Sequence, residues 1–80
     1  MFADPAKPTR ALPQVIDGVT FRCYHTGIQR YEWRSDDGRC SAGCNPFLNT
    51  FYGKADGTTI KKRFRSLTNA MKAAIAALEG

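Results

Sequence analysis

The sequence predicts an α+β domain, in which an antiparallel β-sheet of four to five strands is covered on one face by a C-terminal α-helix. Three observations predict it. Apolar and polar residues alternate in short runs between Val19 and Arg65, Asp-Gly turn dipeptides separate those runs, and one apolar stripe at helical spacing closes the chain. A sheet with one apolar face needs a cover, and a helix with one apolar stripe needs a floor. Eighty residues make one such domain, too small for the deep pocket of a typical enzyme.

Residues 1–16 hold prolines at 5, 8 and 13, which block helix and ladder hydrogen bonds alike, so the segment reads as an extended arm. Leu12, Val15 and Ile16 are expected to pin the arm to the body, and the stretch from Met1 to Arg10 to be mobile or reserved for a partner. Residues 17–80 form the domain proper. The Asp17-Gly18 turn opens a strand over 19–26, with Val19, Phe21 and Cys23 alternating with Thr20, Arg22 and Tyr24.

The segment YEWRSDDGRCSAGC then reads as a hairpin, with strands over 30–36 and 39–44 about a type I′ turn at Asp37-Gly38. That register sets Ser35 against Cys40, Arg34 against Ser41, Trp33 against Ala42 and Tyr31 against Cys44. One face is aromatic and small, with Trp33 turned inward. The other carries Arg30, Glu32, Arg34, Asp36, Arg39 and Ser41.

After the Asn45-Pro46 turn and a loop to Thr50, a second hairpin is expected over 51–54 and 58–65 about Asp56-Gly57. Its long strand points Ile60 and Phe64 inward and Lys61, Arg63 and Arg65 outward. Lys62 falls on the inward side and is read as snorkelling at the sheet edge, where a charge discourages strand addition. The helix is expected over 67–79. Ser66 caps it, Leu67, Ala70, Met71, Ala74, Ile75 and Leu78 make the stripe, and Gly80 ends it. Alanines let it lie close to the sheet, with Phe21, Tyr31, Trp33 and Phe64 filling the space between.

Several classes of function are set aside by the same residues. The alanine-rich C-terminus is interrupted by Lys72 and too short to cross a bilayer, and Asp4, Pro5 and Pro8 stand where a signal peptide would be apolar. No membrane association is expected. Three cysteines cannot all pair within one chain, which points to a reducing, cytoplasmic setting. Cys23, His25, Cys40 and Cys44 resemble a zinc set on paper. On a straight strand, however, Cys40 and Cys44 stand about 13 Å apart at ~3.3 Å per residue, too far for one ion. They read as small buried thiols, with no metal and no cofactor. Cys23 and His25 lack a third group to orient the imidazole, the aspartates at 36, 37 and 56 are turn residues, and no glycine loop cradles phosphate. No enzymatic activity is expected.

A net charge of +5 favours polyanionic or acidic partners. Eight of the twelve basic residues fall on outward positions of the expected strands. The candidate binding residues are Arg22, Tyr24, Arg30, Arg34, Arg39, Tyr52, Lys54, Lys61, Arg63 and Arg65. Arginines supply bidentate donors for phosphate or guanine, and Tyr24 and Tyr52 supply planes for stacking. An exposed antiparallel face is polar in any case, so a merely solvated face is the competing reading.

The run YEWRSDDGR, the second hairpin and KKRFRSLTNAMKAAIAAL together resemble the three-stranded-sheet-plus-helix domains of Apetala-type DNA-binding proteins and phage integrase arm-binding domains. The resemblance spans about 50 residues. It implies a phage or mobile-element protein whose arginine-bearing sheet lies in the major groove with the helix packed behind. The small size, basic charge and lack of catalytic groups are also similar to those of phage anti-CRISPR inhibitors. The expected function is therefore a non-enzymatic binding module for nucleic acid, DNA before RNA, or for a host nucleoprotein complex. The alternative is an anti-CRISPR-type inhibitor that docks on a Cascade-type complex and blocks its DNA targeting.

Overall fold

The computed structural model describes residues 7–27, 30–45 and 48–79. The remainder of the expected free stretch (residues 1–6), Pro46 of the Asn45-Pro46 turn, and Gly80 lie outside the described residues. The strands are β1 (Lys7–Pro8), β2 (Gln14–Ile16), β3 (Val19–Gly27), β4 (Arg30–Ser35), β5 (Cys40–Asn45), β6 (Thr50–Ala55) and β7 (Thr58–Thr59), followed by α1 (Leu67–Glu79). They form one antiparallel sheet in the order β1-β3-β4-β5-β6-β7, with β2 also on β3. The α+β class with one C-terminal helix stands as expected, but the sheet has seven strands where four to five were predicted.

Two of the additional strands come from the segment read as an arm. Lys7 pairs with His25 and Pro8 with Tyr24, while Gln14, Val15 and Ile16 pair with Phe21, Thr20 and Val19. Between them Thr9 donates its N–H and its hydroxyl to the Cys23 carbonyl, at 3.0 and 3.2 Å. Pinning by Leu12 and Val15 is overturned. They are 83% and 65% exposed, because Val15 opposite Thr20 points to the face away from the helix, and only Ile16 reaches the core.

The turns separate by geometry. Asp17-Gly18 and Asp56-Gly57 each carry two positive φ angles, 50° and 80°, and 51° and 81°, as a two-residue type I′ turn requires. Asp37-Gly38 does not form the expected type I′ turn. Only Gly38 is left-handed there, and its N–H closes a turn on the Ser35 carbonyl at 2.9 Å. Asp37 instead accepts bonds from the Ser35 hydroxyl (2.6 Å) and the Arg39 N–H (3.0 Å), an Asx-type brace for a four-residue loop. The register beyond the turn is as predicted, with Trp33 against Ala42 and Arg34 against Ser41.

The expected strand over 58–65 is cut short at Thr59. Lys54 pairs with Thr59 and Phe51 with Phe64, so three steps on β6 are matched by five on the returning chain. The two extra residues keep the two-residue parity. Ile60 and Phe64 therefore both reach the core while Lys61, Lys62 and Arg63 are exposed. In a regular strand Lys62 would have been driven under the helix, and burying that ammonium costs more than losing two ladder bonds.

Helix α1 follows its predicted span, with the Ser66 hydroxyl accepting from the Asn69 N–H at 3.1 Å. Ala70, Met71, Ala74 and Ile75 are buried against Phe21, Cys40, Ala42 and Phe64, with Trp33, Leu67 and Leu78 packed around them. A Cβ at Gly53 would stand 2.7 Å from the Ala70 carbonyl oxygen, so glycine is what lets the helix backbone approach β6. Tyr31, expected in this core, is 53% exposed. Its ring lies 5.1 Å from His25 instead.

Candidate functional site

Strand alternation and register place two rows of side chains on the face away from the helix. One row runs Arg22, Arg34, Ser41, Lys54, Thr59 across β3 to β7. The neighbouring row runs Tyr24, Glu32, Gly43, Tyr52 across β3 to β6.

Bonds tie the rows together. The Tyr52 hydroxyl donates to Glu32 Oε2 at 2.5 Å, and Arg34 Nε donates to Glu32 Oε1 at 2.8 Å. The Arg34 guanidinium lies 5.5 Å from the centre of the Tyr24 ring, and Lys54 Nζ lies 5.6 Å from that of Tyr52. Tyr52 reaches Glu32 by lying across Gly43, where a Cβ would come within 2.6–2.9 Å of its hydroxyl and ring. Any other residue at 43 would push the ring away.

Burial by itself would raise the Glu32 carboxyl. The bonds from Tyr52 and Arg34, with the charges of Arg34 and Lys54, outweigh it and hold the carboxyl below its usual value. Burial pushes the Tyr52 hydroxyl well above its ordinary value, and the Glu32 bond and charge add to it. At neutral pH Tyr52 is therefore a donor and Glu32 an anion.

The candidate residues divide into two groups. Arg22 pairs with Asp36 at 2.8 Å, Arg34 with Glu32 at 2.8 Å, and Arg39 with Asp56 at 3.1 Å. Arg39 stands in the β4–β5 turn, away from both rows, and fastens it to the β6–β7 turn. Lys54, Lys61, Lys62, Arg63, Arg65 and Arg30 make no ion pair among the described residues. Arg30 lies at the opposite end of β4, and Arg65 precedes the helix, so neither joins the rows.

At the β6 side of the open face is a cleft of about 360 Å³, lined by Asn45, Leu48, Tyr52, Thr59, Ile60, Lys61, Lys62 and Arg63. Lys61 and Arg63 share this cleft with Tyr52, in the stretch where the predicted strand would have continued the sheet. Lys62, read from sequence as an inward residue, joins them. Sequence reasoning also missed Glu32 as an anchoring acid and Gly43 as the seat of Tyr52, although pairing Gly43 with Tyr52 across two strands would have exposed the match of a bare backbone to a ring.

The cysteines lie apart in environment. Cys23 and Cys40 are buried, whereas Cys44 is exposed, against the expectation of three buried thiols. Among the described residues no three His, Cys, Asp or Glu side chains gather as a metal site would need. Among the same residues no helix is long and apolar enough to cross a membrane. Compared with known proteins, the chain matches no family model, no curated protein and no solved structure.

Proposed function

We propose that the protein is a non-catalytic module that binds nucleic acid through the cleft side of its open sheet face. One observation carries this reading. Three acids are spent on Arg22, Arg34 and Arg39, while Lys54, Lys61, Lys62 and Arg63, at or beside the cleft, make no ion pair among the described residues. Paired arginines stiffen the face; unpaired cations are what a phosphate backbone recruits. The contact is thereby narrowed, from the ten residues the sequence offered, to Lys54, Lys61 and Arg63 among them, with Lys62 added.

The test is fluorescence anisotropy of labelled DNA and RNA oligonucleotides at low and near-physiological salt. Binding in the micromolar range or tighter, weakening steeply with salt, is expected, and Lys61→Glu with Arg63→Glu should abolish it while leaving the melting transition in place. If the wild-type chain binds none of the oligonucleotides at low salt, the reading fails. An inhibitor docked on a protein complex then becomes the reading to pursue.

A further inference from the structure

We infer that the nucleic acid taken by this surface is single-stranded, with one base stacked at Tyr52 and its flanking phosphates held by Lys54, Lys61 and Arg63. The inference rests on the nucleic-acid reading above and specifies its substrate class.

A sheet that reads a duplex from the major groove needs free guanidinium forks aimed at base edges. Here Arg34 and Arg22 are each tied back through Nε to an acid, Glu32 and Asp36, so only their terminal nitrogens are left for a ligand, and one face of Arg34 lies over Tyr24. What the face offers instead is planes. Tyr52 is fixed at both ends, by its backbone on β6 and by its hydroxyl on Glu32, over a glycine that leaves the ring no obstacle beneath. A ring immobilised before binding loses little entropy when a base stacks on it. The guanidinium of Arg34, clamped by Glu32 and set over Tyr24, offers a second plane on β4, two strands from Tyr52 or about 10 Å between backbones at ~4.8 Å per strand, with both side chains bonded to the one Glu32 carboxylate.

The cations fit the same occupant. Lys54 lies over the Tyr52 ring and makes no ion pair among the described residues, so it can turn from the ring to a phosphate when a base arrives. Lys61 and Arg63 line, with the same ring, a cleft of about 360 Å³. That volume is at the lower end of ordinary ligand pockets, the scale of one planar group with its substituents.

The experiment measures anisotropy for labelled single-stranded RNA, single-stranded DNA and duplex DNA of equal length and mixed sequence, with wild type, Tyr52→Leu, Tyr52→Phe and Lys61→Ala/Arg63→Ala. Single strands should bind at least tenfold tighter than duplex. Tyr52→Leu should lose about tenfold with an unchanged salt slope, since a plane and no charge is removed. Tyr52→Phe, which keeps the ring, should stay within about threefold of wild type. The double alanine variant, altered only in the exposed insertion, should lower the salt slope by about 1.4, the value for two phosphates on a single strand. Duplex binding as tight as single-strand binding overturns this inference and leaves the nucleic-acid reading standing. An unchanged single-strand affinity in a folded Tyr52→Leu, or an unchanged slope in the double variant, also overturns it. No binding of any oligonucleotide overturns both.

Discussion

At Glu32 a carboxylate 7% exposed stays charged because a hydroxyl and a guanidinium meet its two oxygens. Its pKa in the folded chain lies below the ordinary 4.5, so its contribution to stability is complete above that value and is lost as pH falls through the folded value. Tyr52 behaves in the opposite sense. Its pKa is raised above the ordinary 10, so its contribution is complete below pH 10 and is lost as the pH rises beyond it. Denaturant titrations across pH should therefore show an acid limb beginning near 4.5 and an alkaline limb beginning near 10. In Glu32→Gln the acid limb should begin lower, set by Asp37, whose carboxyl the Ser35 hydroxyl and the Arg39 N–H hold below 3.8. An acid limb identical in wild type and Glu32→Gln would show that folding does not lower the Glu32 pKa.

Among the elements, the joint between β6 and the helix is decided by the absence of one side chain. Gly53→Ala would set a Cβ 2.7 Å from the Ala70 carbonyl, a backbone atom that cannot swing aside, so the helix must lift from β6. A loss of about 1–3 kcal/mol is expected in chemical denaturation, the range for overpacking a core. Stability equal to wild type would mean that the helix sits farther from the strand. The helix was legible in the sequence because its stripe, its Ser66 cap and its length all agree. Strands β3 to β6 were legible because their alternation is regular. The arm and the last strand were not, for opposite reasons. Prolines at 8 and 13 advertised a segment without pairing, yet the sheet edge needs only some of its N–H groups, and Pro8 itself sits in register with Tyr24. Residues 58–65 advertised a strand, yet Lys62 broke the inward side, and that single misfit was the trace of the two-residue insertion. The candidate site suffered the same error. Its residue types were readable, but which arginines would be matched by acids depended on cross-strand neighbours and turns that alternation does not reveal.

Taken whole, the molecule is a meander in which every strand from β3 to β7 lies beside the one before it, with the helix returning across β5 and β6. That arrangement buries Cys23 and Cys40 and leaves Cys44 exposed. Burial pushes the Cys40 thiol up, with the Asp37 charge adding to it, so it is a poor nucleophile in the folded state. One thiol per chain should react promptly with a thiol-exchange reagent and the other two only on unfolding, as mass spectrometry of the labelled peptides would show. Prompt reaction at Cys40 would contradict the packing of the helix on β5. Strand order in chain order also has a consequence during synthesis. Each hairpin can zip onto its predecessor as it emerges, but Phe21, Trp33 and Ala42 lie on a face that stays bare until the last 13 helical residues follow. At ~5–20 residues per second that interval is on the order of a second. For that time the chain is a sheet with one sticky side, and a chain truncated before Leu67 would keep that side bare.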